Sequence, residues 1–221
     1  MSEEDADRLA LAAALRDLNH AFVGHDADPD LLRSTTVLAV DLATQLRAGA
    51  RRDRLALMQA SRREAEAEAA AGDSGRFPMN RPRSGFEDRA VAGRANPTSI
   101  DFDVRFDDED DVVAEFVLRR AFEGAPGRAH GGMVAAAFDD VTGWVIGRLG
   151  EPSFTGELTV RFVAPVPVDE RLTVRTRLAE RDGRKLFITA EMTAADRLVA
   201  TCRATYITVD PSVFAGMPDP R

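Results

Sequence analysis

The chain has 221 residues, of which 44% are hydrophobic, and its formal net charge is −8. The acidic balance argues against general nucleic-acid binding, and the single cysteine, Cys202, excludes an internal disulfide or a multi-cysteine metal site. No segment approaches the ~20 uninterrupted apolar residues of a membrane helix, and the acidic start is unlike a secretory signal, so we expect a cytoplasmic protein without a membrane span or a nucleic-acid partner.

Residues 1–71 predict a helical extension. A first apolar stripe at helical spacing ends near Gly24, and its members are Leu9, Ala12, Ala13, Leu15, Leu18 and Phe22. A second helix begins at Asp28-Pro29-Asp30, and its stripe comprises Leu31, Thr35, Leu38, Leu42 and Leu46. Residues 51–71 are rich in Arg, Glu and Ala, which is typical of a mostly solvated helix. The pattern favours a packing or oligomerisation arm over an active-site role.

Residues 72–85 combine glycines, prolines and arginines without a period, which predicts a linker. The alternation at 99–106 and 112–119 then predicts two strands of a hairpin, joined by an acidic turn. Four further strands are predicted, at 155–164, 171–181, 185–195 and 198–209, with turns at Asp182-Gly183 and Ala195-Asp196. The tail, residues 210–221, is interrupted by prolines and predicts irregular structure.

One long apolar helix, at about 132–149, separates the first two strands from the last four. Its residues are apolar on nearly every side, so the rest of the domain must wrap around it. An antiparallel sheet of about six strands curled around this helix is the economical way to bury it. The sequence therefore predicts an α+β fold with an N-terminal helical extension.

The stretch EGAPGRAHGGMVAAAFDDVTG, which begins at Glu123, places a histidine and two glycines directly before this helix. It resembles the HGG signature of hotdog-fold acyl-CoA thioesterases of the PaaI and mammalian thioesterase-superfamily-member type. In that family an acidic residue follows nine positions after the histidine, which here is Asp139 after His130. A Thr or Ser also stands ten residues before a strand-ending proline, as Thr155 stands before Pro165. The resemblance covers about residues 86–209 and implies a hotdog domain there.

One departure concerns the segment before the histidine. Several members of the family carry an Asn there that helps to place the thioester, whereas residues 122–127 of this chain contain no amide side chain. The departure affects the expected substrate contacts and leaves the central acid unchanged.

The start of the helix suits the stabilisation of negative charge. Unpaired amides and the helix dipole lie there, and glycine allows a carbonyl oxygen to approach the backbone. Gly131 is the candidate oxyanion donor, and Gly132 a candidate substrate contact. Asp139 lies ~12 Å further along the helix, too far to share one carbonyl with Gly131 of the same chain. The resemblance implies that two protomers join these groups across antiparallel central helices, in a homodimer or possibly a tetramer.

The resemblance further implies that Asp139 is a general base on water or a nucleophile that forms a mixed anhydride, with both routes open. Thr155 would orient the water or the carboxylate, and the alternative for Thr155 is an ordinary strand-edge residue. Asp139 could instead be a buried structural carboxylate, bonded to a turn or to Arg161. Asp140 is expected at solvent or at an interface. His130 is expected to fix the glycine turn, with catalysis as the alternative.

The implied substrate is an acyl-CoA with a medium-length chain or an aryl group. Phe138, Trp144, Phe154 and Phe162 are candidates to line its tunnel, and Arg161, Arg184 and Lys185 are candidates to bind the CoA phosphates. No metal site or cofactor is expected, since His20, His25 and His130 lack ligand spacing. The competing hypothesis is a non-catalytic hotdog protein that binds an acyl group or joins a larger assembly through its helical arm.

Overall fold

A computed structural model of the chain describes residues 3–53, residues 56, 57, 59, 60 and 63, and residues 87–107 and 111–210. The predicted linker at 72–85, the tail beyond residue 210 and most of the helix predicted at 51–71 lie outside the described residues.

Two helices come first: α1 spans Glu3–Gly24 and α2 spans Pro29–Ala48. The hairpin of β1 (Asp103–Phe106) and β2 (Val112–Val117) follows, and then a short 3-10 turn at Arg120–Phe122. A small hairpin of β3 (Glu123–Ala125) and β4 (Arg128–Ala129) leads into the central helix α3 (Gly131–Leu149). The last four strands are β5 (Ser153–Phe162), β6 (Arg171–Asp182), β7 (Lys185–Ala194) and β8 (Arg197–Thr208).

The main sheet has six antiparallel strands in the order β1-β2-β6-β7-β8-β5. Its inner face packs against α3, where fully buried Phe138 and Val141 belong to the same apolar cluster as Leu172, Leu186 and Met192 of the sheet. Each such side chain contributes about 1.5–3 kcal/mol through burial. The predicted α+β architecture is confirmed.

Two turns of the meander test the predicted connections. Ala195 and Asp196 form the predicted β7–β8 turn, with φ values of 45° and 63°. The β6–β7 turn lies one residue later than predicted, at Gly183-Arg184, because Asp182 still pairs with Lys185. Gly183 has a φ of 53°, a conformation that glycine adopts without steric cost.

The first strand is shorter than predicted, because the residues before it form hydrogen bonds with α1 and with a preceding loop. Arg16 of α1 donates hydrogen bonds to Ser99 Oγ at 2.9 Å and to Asp101 Oδ1 at 2.8 Å. The Ile100 amide donates to the Val91 carbonyl at 2.7 Å instead of to a sheet partner. Regular pairing therefore starts only at Asp103.

Helix α1 of the extension packs against the rest of the domain through a face that contains polar side chains. Ala12, Arg16 and His20 are the buried residues of α1, and the Ala121 amide donates a 3.1 Å hydrogen bond to His20 Nδ1. Leu15, Leu18 and Phe22 of the predicted apolar stripe remain exposed. Helix α2 has no buried residue. Among the described residues, no helix is both long enough and apolar enough to cross a membrane.

Candidate active site

The site is assembled around the first turn of α3, which the small β3–β4 hairpin holds in place. The His130 amide donates to the Phe122 carbonyl at 2.8 Å, so the chain folds back directly before the helix. A Cβ on Gly124 would lie 2.8 Å from the Cα of His130, closer than real Cβ contacts allow. Position 124 therefore has to be glycine for the hairpin to close.

His130 is the N-cap of α3. Its Nδ1 accepts a 3.0 Å hydrogen bond from the Gly132 amide, and its carbonyl accepts from the amides of Met133 and Val134. A Cβ on Gly132 would lie 3.0 Å from that same Nδ1. The predicted structural role of His130 agrees with this geometry, and it occupies the Gly132 amide that was a candidate substrate contact.

Gly131 is the remaining amide of this turn, and it has no hydrogen-bond partner among the described residues. The ring of Phe162 lies over it, since a Cβ on Gly131 would come within 3.3 Å of the Phe162 Cζ. Phe162 is itself 52% exposed. An unpaired amide at a helix start beside an exposed aromatic ring is a suitable place for a polarised carbonyl group.

Asp139 lies two turns further along α3 with its side chain exposed. Thr155 Oγ1 of β5 donates a 3.0 Å hydrogen bond to Asp139 Oδ1. The register of β5 against β8 shifts between Thr155 and Glu157, which marks a β-bulge at Gly156. Bulges of this kind re-aim a side chain at the edge of a sheet. The structure thus brings together two of the residues predicted from sequence.

Tyr206 of β8 completes this cluster, and sequence reasoning missed it. Its hydroxyl donates a 3.0 Å hydrogen bond to the main-chain carbonyl of Asp139 and lies 3.0 Å from Thr142 Oγ1. Burial raises the pKa of the phenol; the hydrogen bonds from Thr142 and Thr155 oppose that shift, and the negative charges of Asp139 and Asp140 add to it. The available clue was that Tyr206 is the single tyrosine of the chain, on the inward row of a strand.

Asp140 departs from its expected position at solvent or at an interface. The side chain is half-buried, and its Oδ2 is a buried atom without a hydrogen-bond partner. Burial raises the pKa of this carboxyl, the neighbouring Asp139 charge raises it further, and Arg89 opposes the shift. The two adjacent aspartates therefore have different environments: Asp139 is exposed and bonded, and Asp140 is partly desolvated.

The aromatic candidates for a substrate tunnel divide into two groups. Phe138 is 0% exposed and Trp144 5%, and both belong to the hydrophobic core. As a correction to the predicted lining role, Phe138 has no surface that a substrate could touch in the single chain. Phe154 and Phe162 on β5 are exposed.

None of the three basic candidates forms a hydrogen bond or ion pair with Asp139 among the described residues. Arg161 follows Val160, which pairs with buried Cys202 on the inner face, so Arg161 points to the outer face of the sheet. Lys185 starts β7 at the hairpin turn, and Arg184 Nε in that turn donates to the Thr208 carbonyl at 3.1 Å. All three side chains are exposed.

Gly131 and Asp139 are not brought together within one chain. They occupy the same helix eight positions apart, which is ~12 Å along its axis. Any reaction that needs both groups at one carbonyl needs two copies of the helix.

A cavity of about 280 Å³ lies elsewhere, between α1 and the sheet, and Arg16, His20 and Glu115 are among its lining residues. Gly131, Asp139 and Thr155 do not line it. In the part of the chain that the structure describes, no group of three or more His, Cys, Asp or Glu side chains is placed to hold a metal ion.

Residues 126–201 match the model of the family described as the thioesterase superfamily. These residues form a thioesterase-superfamily domain. The match includes His130, Gly131, Asp139 and Thr155, and it confirms the resemblance seen in the sequence.

Curated relatives of the thioesterase-superfamily domain carry related names. The chain is 30% identical over 106 residues to the acyl-coenzyme A thioesterase THEM4 of Bos taurus, covering 47% of this chain and 44% of that protein. It is 36% identical over 66 residues to the acyl-coenzyme A thioesterase THEM5 of Homo sapiens, covering 30% and 27%. The chain thus spans less than half the length of these relatives.

The fold likeness reaches beyond the thioesterase-superfamily domain. The crystal structure of a thioesterase superfamily protein superposes with a TM-score of 0.68 at 22% identity, covering 90% of this chain and 94% of that one. This coverage confirms the predicted hotdog fold, and it includes much of the chain outside residues 126–201.

Proposed function

We propose that the protein is an acyl-CoA thioesterase that hydrolyses the thioester of a medium-chain or aryl acyl-CoA. The observation that carries the proposal is the hydrogen bond from Thr155 to the exposed carboxylate of Asp139, inside a thioesterase-superfamily domain. The names of the relatives support the same substrate class. An exposed carboxylate with one oxygen fixed by a hydroxyl keeps the other oxygen available for chemistry.

In the first of two routes, Asp139 acts as a general base. Its carboxylate takes a proton from water, and the resulting hydroxide attacks the thioester carbon. The negative charge that develops on the carbonyl oxygen is stabilised by the Gly131 amide, and the C–S bond then breaks. The CoA thiolate leaves with the proton returned by Asp139, so the products are a free acid and a thiol.

In the second route, Asp139 acts as a nucleophile. Its free carboxylate oxygen attacks the thioester carbon and displaces CoA thiolate, which leaves a mixed anhydride between the acyl group and Asp139. Water then cleaves the anhydride and restores the carboxylate. Thr155 serves both routes, because a fixed Asp139 has a defined approach to the substrate.

The proposed active unit is a homodimer in which Gly131 of one protomer faces Asp139 of the other. The ~12 Å separation within one helix is the reason that a second copy is needed. Strand β5 supports this unit, since it is an end strand of the sheet, is ten residues long and carries exposed Phe154 and Phe162. A long apolar edge strand ordinarily pairs with another strand.

Exposed Arg161, Arg184 and Lys185 are the proposed contacts of the CoA phosphates. All three side chains are exposed cations, which can pair with the phosphate groups of a CoA thioester.

The test is hydrolysis of an acyl-CoA panel, from short to long chains and including aryl acids, with detection of the released thiol. Asp139→Asn should lower kcat by about 10²–10⁴-fold, the range typical of a general base. Asp140→Asn is the matched control, because it removes the adjacent carboxylate, which has no proposed role. Equal loss in both variants, or full activity of Asp139→Asn, would remove Asp139 from the mechanism, and an inactive wild-type chain would favour a binding or assembly role.

A further inference from the structure

Helix α2 presents an uncovered apolar stripe. Leu31, Leu38, Leu42 and Leu46 are 55–66% exposed, and we refer to these four residues as the leucine stripe. At 100° per residue they lie within an 80° sector of the helix surface. The charged residues Asp30, Arg33 and Asp41 lie outside that sector.

The spacing of the stripe is that of a helix–helix seam. Leu31, Thr35, Leu38 and Leu42 follow one another at intervals of four, three and four residues, as a and d positions do in a coiled coil. Helix α1 has the same spacing at Leu11, Leu15, Leu18 and Phe22, which are also exposed. Each stripe therefore remains uncovered by the other helix of the same chain.

A helix without a packed apolar face has low stability in water. α2 has 20 residues and none of them is buried, and an isolated helix of this length is only marginally stable without a packed face. Covering exposed leucines with another apolar surface removes them from water, which stabilises the helix. The physical requirement is a partner surface with matching apolar spacing.

Charge along α2 indicates which partner fits. The helix starts with Asp28 and Asp30 and ends with Arg47, and Arg51 follows shortly after it. An antiparallel copy of α2 would place its basic end beside this acidic start, and the two helix dipoles would oppose each other favourably. A parallel copy would bring like charges together at both ends.

We propose that the leucine stripe of α2 packs in antiparallel orientation against the leucine stripe of a second copy of this chain. The contact has two-fold symmetry: Leu31 of one copy lies beside Leu46 of the other, and Leu38 lies next to the symmetry axis. This interface is separate from the Gly131–Asp139 contact and does not depend on the proposed activity.

Cysteine crosslinking of the full chain tests the contact. Burial raises the pKa of native Cys202 to about 12, so an introduced exposed cysteine is the reactive thiol under mild oxidation. Leu38→Cys should form a covalent dimer on a non-reducing gel, at dilution low enough to exclude random collisions. Val40→Cys is the matched control, because Val40 is equally exposed at 62% and lies on the opposite side of α2. Failure of Leu38→Cys to crosslink, or equal crosslinking of both variants, would overturn the proposal.

A second crosslinking experiment tests the antiparallel orientation of the two helices. Leu31 and Leu46 are ~22 Å apart along the helix, so in the antiparallel pair neither position meets its own counterpart. A mixture of Leu31→Cys and Leu46→Cys chains, one of them carrying a mass tag, should yield the mixed covalent dimer, while each variant alone should not crosslink. A covalent dimer of Leu31→Cys alone would indicate a parallel pair and contradict the proposed arrangement.

Discussion

The hydroxyl of Tyr206, on the last strand, donates a 3.0 Å hydrogen bond to the main-chain carbonyl of Asp139, 67 positions earlier in the chain. The bond fixes the helix backbone at the point from which the proposed catalytic side chain projects. Tyr206 does not reach the reacting atoms itself, so its proposed role is to position Asp139.

Removal of this hydroxyl should weaken turnover more than substrate binding. Tyr206→Phe keeps the buried ring and loses the hydrogen bond to the Asp139 carbonyl together with those to Thr142 and Thr155. One such bond is typically worth about 1 kcal/mol, so kcat should fall about fivefold or more with KM little changed. Steady-state kinetics with an active acyl-CoA measures the effects on kcat and KM separately. Thr205→Val, the next residue on the same strand, is the control and should keep both constants. An unchanged kcat in Tyr206→Phe would show that Asp139 needs no such support.

Loss of the Thr155 hydroxyl should lower kcat more than loss of the hydroxyl of any other threonine on β5. Thr155→Val removes the donor to the Asp139 carboxylate, and we expect kcat to fall by about tenfold or more, as for the loss of a hydrogen bond to a charged group. Thr155→Ser restores the donor and should recover most of the rate. Thr159→Val, four residues further along the strand, should behave as wild type. Equal kinetics for the two valine variants would identify Thr155 as an ordinary strand residue.

Acidification should loosen the docking of α1. Burial, together with the charges of Arg119 and Arg16, lowers the pKa of His20 from its ordinary 6.5, while Asp169 and Asp17 oppose the shift. The unfolded state then binds the proton more readily, so the stability from this contact is complete above about pH 6.5 and declines as the pH falls toward the folded-state pKa. Protonation of Nδ1 would also remove the acceptor of the Ala121 amide.

Hydrogen exchange of the Ala121 amide measures this effect. After correction for intrinsic rates, protection should be lower at about pH 5.5 than at about pH 7.5. His25→Gln, at an exposed position just beyond α1, should preserve that pH dependence, whereas His20→Gln should abolish it. Constant protection across the range in the wild-type chain would contradict the assigned role of His20.

The half-buried Asp140 should make the domain less stable at neutral pH. Its pKa is raised from the ordinary 3.8, chiefly by burial, so the folded state binds a proton more readily than the unfolded state. Stability attributed to this group is then greatest at low pH and declines as the pH rises through the folded-state pKa. Asp140→Asn should therefore raise the Tm at about pH 7, and the gain should shrink near pH 4.

Thermal unfolding at the two pH values checks this expectation. Asp182→Asn, on the exposed β6–β7 hairpin, is the control and should show no such pH-dependent gain. A lower Tm for Asp140→Asn at neutral pH would mean that its attraction to Arg89 outweighs the cost of desolvation.

Much of the thioesterase-superfamily domain could be predicted from local patterns. The all-round apolar character of α3 required a sheet wrapped around it, and strand alternation placed the later strands within a few residues of their observed ends. The family resemblance, carried by the spacing from His130 to Asp139 and of Thr155 before Pro165, pointed to two residues that the structure joins by a hydrogen bond. His130 was expected to fix the glycine turn, and in the structure it is the N-cap of α3 and accepts from the Gly132 amide.

Other features depended on contacts between distant segments. Arg16 binds groups 78–85 positions away, and these bonds turn the polar side of α1 inward, although its leucines favoured the opposite face. Tyr206 and Asp140 acquired their environments in the same way, through a strand and a loop that no local window contains. Phe138 became a core residue because the sheet covers its side of the helix.

The sequence alone determined the order of helices and strands, because periodicity and turn chemistry act over a few neighbouring residues, and the family resemblance pointed to Asp139 and Thr155. Only the tertiary structure decided which faces are buried, which amide at the start of α3 stays unpaired, and which apolar stripe remains open. Those outcomes depend on which segments, distant in sequence, pack against the same surface. The free energy of each arrangement is set by how much apolar and polar surface it removes from water.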